Sequence, residues 1–488
     1  MQLTYNIQDK PPFRKTLVFA FQQMIAIMAA TLLVPLITST YKTPDGSTLL
    51  FDAAAALCGA GFGTIVYILF TKGRSPVFLG SSFTFLSSYS AVIGAGFGYW
   101  GVLIGIAMAG LVYVVMAIII KFTSSAWVNK LLPPVIIGPI VALIGLSLSS
   151  TATGWAMNNG SEGTYNFLSI ICALATFFVI VICSVKGNKT IKLIPFIIGI
   201  GAGYLLALIF TLIGIAANVE YMQILSFSSF ESLAPFSITS IFDYPKFTLL
   251  QACLHPEASN INWAAIGSIA IIFVPIAVVE LAQHVADHKN LSSIIEKDLI
   301  TDPGLDKTLL GDGVGSIVGG LVGGAANTTY GESIGCVAIT GNASIVSIFV
   351  AACGCILLSF VSPFVALINS IPKCVMGGAC IALYGFIAVS GLQMLHNVDL
   401  GDNRNLFPVA AIFVCGIGGL VLTFTFGKNT IQLTSLAFAM IIGIVTNLIT
   451  HSGKDKETAP VEEAIPSESK AIEEPSANEG SSAEAESK

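Results

Sequence analysis

Between Thr16 and Thr450 the chain is a succession of apolar runs, most of them long enough to cross a lipid bilayer, and that property excludes most folds. A helix spanning the hydrocarbon core needs about 20 apolar residues. Runs of this kind fall at 16–38, 50–70, 76–95, 98–121, 131–150, 166–185, 192–214, 263–285, 308–324, 329–342, 343–369, 371–396, 405–425 and 431–450, fourteen in all. A membrane β-barrel would instead alternate apolar and polar residues over short segments, so the chain reads as an all-α polytopic membrane protein. Its charged fraction of 10% agrees, against roughly 25% in soluble domains. The first run is too long for a signal-peptide core and lacks a small-residue cleavage pattern, so it is read as the first spanning helix. The ten cysteines show no metal-ligand spacing, and most lie inside apolar runs where cysteine behaves as a small hydrophobe.

Basic residues test the count. With the N-terminus inside, fourteen crossings place 14 lysines and arginines on the cytoplasmic side, from Lys10 to Arg404, and only Lys42, Lys246, Lys373 and Lys428 outside. This is the positive-inside pattern of a cell-membrane protein with both termini cytoplasmic. The last 38 residues change character. The segment 451–488 is rich in Glu, Ser, Ala and Pro and carries the whole net charge of −6. It cannot bury a core and reads as a disordered acidic tail. The acidic balance therefore says nothing about a substrate.

Two runs make poor spans, 76–95 and 329–342. VFLGSSFTF (77–85) aligns with TTYGESIGC (328–336), each an extended piece, a glycine, a polar pair and a short helical run. LLPPVIIGP (131–139) and SIPKCVMGG (370–378) share a proline and a glycine opening an apolar helix, at a similar separation, 239 residues against 251. Two halves of seven segments follow. Seven is odd, so the second half is inverted in the membrane. Irregular backbone survives at membrane depth only when it is paired with protein. The two extended pieces are therefore expected to pair with each other and to hand over to half-helices whose free N–H groups point at the midplane. Gly80 and Gly331 would allow close approach of a ligand or of backbone.

Within the tenth run stands Glu332. An ionised carboxylate near the bilayer centre costs at least ~2.5–3.5 kcal/mol, so it caps a half-helix or faces a ligand. In the eighth run, Glu280, Gln283, His284, Asp287 and His288 recur at helical spacing and form one polar stripe. Gln283 is the deep candidate for ligand contact, and Glu280, His284 and Asp287 are candidates for ion coupling. His288 is expected at the wet end, where the helix leaves the bilayer.

These strings resemble the nucleobase–cation symporter-2 (nucleobase–ascorbate transporter) family, in particular its bacterial uracil permeases. The resemblance rests on QQMIAIMAATLLVP, PVFLGSSFTF and LLPPVIIGPIVALIGLSL in the first half, and on LAQHVADH, KDLITDPGL and NTTYGESIGCVAIT in the second; it covers about residues 12–450. It implies fourteen segments in two inverted repeats, with a core domain (1–121 and 263–369) moving against a gate domain (122–262 and 370–450). It implies that Glu332 binds the ring of a nucleobase, uracil above all, with backbone groups of Tyr330 and Gly331 beside it and Phe83 against the ring. Gln283 occupies the place of a second substrate-binding glutamate, Ser333 that of an asparagine, and Asp287 one often held by histidine in proton-coupled members. A proton, or sodium, would be the coupling ion, and a homodimer through the gate domains is implied as well. No cofactor and no nucleic acid is expected. The alternatives are a xanthine, guanine or urate permease of the same family, or an anion exchanger of the related sulfate-transporter architecture, which a central carboxylate disfavours. No metal cluster or nucleophile–base motif speaks for an enzyme.

Overall fold

The computed structural model describes residues 3–123, 133–158, 165–188, 191–231, 233, 238–255, 261–396, 398–426 and 429–451. The first half runs through α1 (Phe13–Thr38), α2 (Ala53–Phe70), β1 (Leu79–Ser81), α3 (Leu86–Gly94), α4 (Gly98–Phe122), α5 (Pro134–Ser147), α6 (Ser149–Asn158), α7 (Phe167–Lys186) and α8 (Pro195–Ala217). Short helices, among them Thr248–Leu254, lead to the second half. That half comprises α9 (Trp263–Ile295), α10 (Leu305–Gly323), β2 (Asn327–Thr329), α11 (Gly331–Thr340), α12 (Ile345–Ser359), α13 (Ser362–Asn369), α14 (Lys373–Gln393), α15 (Asn403–Ile417), β3 (Leu422–Phe426), β4 (Asn429–Leu433) and α16 (Ser435–His451). Eight helical spans among the described residues are long and apolar enough to cross a membrane, α5 and α6 together forming one of them, and three shorter apolar helices accompany them.

The starts follow from local chemistry. Asp52 and Asn166 accept hydrogen bonds from the first free N–H groups of α2 and α7, and Asn262 does the same for α9. Prolines open α5 and α8 at the position where a missing N–H costs nothing.

The packing is reciprocal between the halves, as an inverted repeat requires. α1 lies on α12 as α9 lies on α4, α1 meets α11 as α9 meets α3, and α5 meets α15 as α14 meets α7. The elements on the pseudo-two-fold pair with their own counterparts: α2 with α10, α5 with α14, and β1 with β2. The two helix pairs cross closely on glycine. A Cβ on Gly59 of α2 would stand 2.4 Å from the carbonyl oxygen of Gly319, and one on Gly391 of α14 would stand 2.2 Å from Ala142 N. In lipid there is no hydrophobic force between helices, so such backbone-to-backbone contact supplies the association energy.

Three expectations need correction. The eighth run is apolar only to 285, but α9 continues to Ile295, because one side of its last turns, His288, Leu291 and Ile295, is buried against protein while Lys289, Asn290 and Ser293 stay exposed. The run 343–369 is two helices, α12 and α13. Pro363, in the first turn of α13, has no N–H to bond Ser359, and its ring clashes with that carbonyl, so α12 stops there. The run 405–425 stops as helix at Ile417 and turns into the antiparallel hairpin β3–β4, a strand pair additional to the expected one. The tail expected at 451–488 lies outside the described residues apart from His451, which ends α16.

On one face, Asp302 in the α9–α10 turn joins Arg74 beyond α2 at 2.9 Å and Lys297 at 3.0 Å. The hydrogen bonds and charges of Lys297 and Arg74 hold its carboxyl below the ordinary aspartate range.

Candidate functional site

β1 and β2 meet antiparallel in the register Leu79↔Thr329, Gly80↔Thr328 and Ser81↔Asn327. Ser82 N donates to Ala326 O at 2.8 Å and Tyr330 N to Phe78 O at 3.3 Å, which extends the ladder at both ends. The outer edges of so small a sheet would be orphaned in a membrane, and side chains close them. Leu79 N donates to Thr64 Oγ1 of α2 at 3.0 Å. The Ser316 hydroxyl of α10 donates to Asn327 O, the counterpart on the other strand. Asn327 also fills the glycine-lined gap between α2 and α10, its Nδ2 donating to Gly59 O at 3.1 Å. Gly80 is required by packing: a Cβ there would stand 2.4 Å from the Tyr330 ring. Nothing lies within 4 Å of a Cβ built on Gly331, which borders open space.

Beside the strands lies a cavity of about 360 Å³, within the size range of small-molecule sites, roughly 300–1,000 Å³. One wall is Ser82, Phe83 and Thr84 from the first broken segment and Thr328 to Glu332 from the second; Gln283 and Asp287 of α9 complete it. The opposite wall is apolar apart from Ser390 and comes from α5, α8 and α14, with Phe196 and Phe386 prominent. Glu332 lies in the first turn of α11, whose N-terminal N–H groups and dipole favour negative charge. Among the described residues its carboxylate takes no hydrogen bond from another side chain, so it is free for a ligand. Phe83 packs edge-on to Tyr384, ring centroids 5.9 Å apart. Asp287 Oδ2 accepts from Thr329 Oγ1 at 2.7 Å, tying α9 to β2.

The structure thus brings Glu332, Gln283, Asp287, Phe83, Tyr330 and Gly331 to one cavity. It does not bring Ser333, Glu280 or His284 there. The Ser333 hydroxyl points behind the strands, where Gln23 of α1 donates to it and Phe78 N donates at 3.1 Å. Tyr330 N is engaged with Phe78 O and its hydroxyl donates to Ser81 O at 2.7 Å.

The polar stripe of α9 fans out. At about 100° per residue, the five positions from Glu280 to His288 cover roughly 140° of the helix. One edge, Gln283 and Asp287, meets the cavity. Glu280 in the middle meets Ser82. The other edge meets α10 and α2: His284 Nδ1 lies 2.7 Å from Asp312 Oδ2, and His288 Nε2 lies 2.7 Å from the Tyr67 hydroxyl. His288, expected to be wet, is wholly buried. Asp312 is a residue that reasoning from sequence missed. The signal was present, a lone acid in the glycine-rich apolar run GDGVGSIVGG, but its partner lies 28 residues away on another helix.

A chain of inverted repeats whose broken segments meet at a polar cavity is a membrane transporter in class. The chain belongs to the xanthine/uracil permease family: that permease-family profile matches residues 14–425. It is 39% identical over 446 residues to the uracil permease of Bacillus caldolyticus, covering 91% of this chain and 94% of that one. It is 32% identical to the uracil permease of Escherichia coli K12 over 91% of this chain and 93% of the relative. Among solved structures it resembles the transmembrane domain of the cyanobacterial bicarbonate transporter BicA, with a TM-score of 0.52 at 15% identity over 92% of this chain and all of the other. The anion transporter SLC26A9 gives a TM-score of 0.57 at 10% identity, over 89% of this chain and 64% of that chain. At such identities these two likenesses concern the fold alone.

Proposed function

We propose that this protein imports a nucleobase, uracil, by symport with a cation, a core of α1–α4 and α9–α12 moving against a gate of α5–α8 and α14–α16. The observation that carries the reading is the Glu332 carboxylate at the N-terminus of α11, bonded by no other side chain among the described residues and lining a cavity one wall of which is largely aromatic and aliphatic. A pyrimidine offers ring N–H donors, carbonyl acceptors and two flat faces. The carboxylate accepts from the N–H groups, first-turn N–H groups of α11 and the Gln283 amide meet the carbonyls, and Phe83 packs against the ring. Asp287, on the cavity wall and bound to β2, carries the coupling proton. The names of the similar relatives agree with this substrate. The division into two bodies is supported by the packing, since helices within each group pack far more extensively on one another than on helices of the other group. An anion exchanger would not place a free carboxylate at the centre of its site.

The test is uptake of labelled uracil by cells lacking their own nucleobase permeases. The full chain should support uptake that a protonophore abolishes, and Glu332→Gln should not transport. A purine that is taken up while uracil is not would reassign the substrate within the family and place the difference at Gln283.

A further inference from the structure

A second cavity, of about 360 Å³, lies where α1 faces α8, α13 and α14. Every residue lining it is apolar except Tyr204. That hydroxyl is engaged: Ser370 Oγ donates to Leu367 O at 2.7 Å and accepts from Tyr204 at 3.0 Å. Among the lining residues no other side chain offers water a hydroxyl, an amide or a charge, and apolar cavities of this kind stay dry. Left empty, the walls would forfeit their dispersion contacts. An apolar occupant restores them.

The surroundings and the size narrow the choice. The cleft opens on the outer surface of α8, the least buried of the described spans at 22%. Leu205 and Leu367 line it and are 60% and 45% exposed, and in a bilayer that surface meets hydrocarbon. Met28 and Met376, at the back, are 9% and 3% exposed. Three glycines of α8 lie at this level. Packing explains Gly199 and Gly203, where a Cβ would collide with Ile180 and Thr176 of α7. It does not explain Gly201: nothing lies within 4 Å of a Cβ built there, and a glycine inside a helix is destabilising relative to alanine. Its missing side chain keeps the cleft open. An apolar cavity of roughly 150 Å³ holds a six-carbon ring, so this one has room for about a dozen carbons. One turn of a helix 10 Å across fills about 420 Å³, so the cleft admits a hydrocarbon chain but not a helix of a second copy.

We infer that this cleft holds one acyl chain of a bilayer phospholipid. Its position gives that chain a consequence, which rests on the two-body reading above. α1 belongs to the core, α8 and α14 to the gate, and α13 connects α12 to α14. A chain seated here touches both bodies and the link between them. Movement of core against gate changes the width of the cleft and hence the fit of the chain. A chain that fits one state better than the other shifts the balance between them, so the rate of transport depends on which acyl chain the bilayer supplies.

The full-length protein is placed in nanodiscs of a phosphatidylcholine that carries a photoreactive diazirine near the end of one acyl chain, and the labelled residues are mapped. Loose surrounding lipid labels Leu205 and Leu367; only an inserted chain reaches Met28 and Met376. Label at both methionines is expected. Gly201→Phe, which fills the cleft, should abolish it. Gly267→Phe, on an exposed face of α9 where a Cβ also meets nothing within 4 Å, should leave it. Label confined to Leu205 and Leu367, or methionine label that survives Gly201→Phe, would overturn the site. Methionine label found in monomers and lost in dimers would assign the cleft to a second copy and overturn the lipid. In liposomes, uracil uptake should differ about fivefold between saturated and mono-unsaturated phosphatidylcholine, a difference that Gly201→Phe removes and Gly267→Phe keeps. Methionine label with a chain dependence unchanged by Gly201→Phe would support the site and overturn its hold on the movement. Absence of uracil uptake in every lipid would count against the substrate reading alone, because the labelling involves no substrate.

Discussion

Gly80→Ala is the substitution whose consequences follow most directly from the geometry. The new Cβ would lie 2.4, 2.5 and 2.9 Å from Cε2, Cζ and Cδ2 of the Tyr330 ring. Ordinary contact between carbons is roughly 3.5–4.0 Å, so ring and strand must separate by more than ~1 Å. The ring cannot swing aside freely. It is 4% exposed, and its hydroxyl is anchored on Ser81 O, one residue from the substituted position. Relief therefore costs that hydrogen bond, ~1 kcal/mol, and a core displacement of ~1–3 kcal/mol. The expected destabilisation is about 2–4 kcal/mol. Function should suffer further, because Gly331 and Glu332 follow Tyr330 in the chain. A carboxylate displaced by ~1 Å from its working position loses on the order of 10²-fold in rate. The assays are thermal unfolding of the purified protein and initial rates of uracil uptake at matched expression. Tyr330→Ala is costly alone, but in the double variant it removes the ring atoms that the new methyl would meet, so the two effects should be clearly less than additive. If Gly80→Ala melts and transports like the parent chain, or if the double variant is simply additive, the close approach of strand and ring does not position this site.

Asp312→Asn replaces the carboxylate that lies 2.7 Å from His284 Nδ1 in a wholly buried contact, and disturbing a buried hydrogen bond costs ~1–3 kcal/mol; a fall in Tm is expected, with substrate preference unchanged. Gly59→Ala drives a methyl into the carbonyl of Gly319 and should lower the Tm more than Gly154→Ala, where nothing stands within 4 Å. Ser333→Ala removes the acceptor of Gln23 and of Phe78 N but no cavity atom; it should cost ~1–3 kcal/mol in unfolding and leave the ranking of competing nucleobases unchanged in a competition panel. Asp302 has a depressed folded value, so its pairing with Lys297 and Arg74 contributes at neutral pH and is lost as pH falls through the acidic end of the carboxylate range. Because the cluster is exposed, Asp302→Asn should leave neutral-pH stability nearly unchanged and slightly flatten its fall at acid pH, read from Tm against pH.

The apolar runs, their number and their inversion were legible in the chain because lipid imposes one rule on every segment: about twenty apolar residues or a protein partner for the backbone. For the same reason the failures at 76–95 and 329–342 announced the paired strands. Glu332 was legible because a carboxylate in such a run needs a purpose. The fan of α9 was not. Spacing puts Glu280, Gln283, His284, Asp287 and His288 on one side of a helix, but a side roughly 140° wide faces several neighbours, and only packing decides which residue meets which. Gln283 and Asp287 meet the cavity, Glu280 the Ser82 hydroxyl, His284 an aspartate on α10, and His288 a tyrosine on α2. Ser333 shows the same limit, adjacent to Glu332 in the chain yet pointing the other way, since consecutive residues of a helix diverge by about 100°. Periodicity is a property of one segment and can be read from it; contacts between segments hundreds of residues apart depend on register and crossing, which exist only once the whole chain has packed.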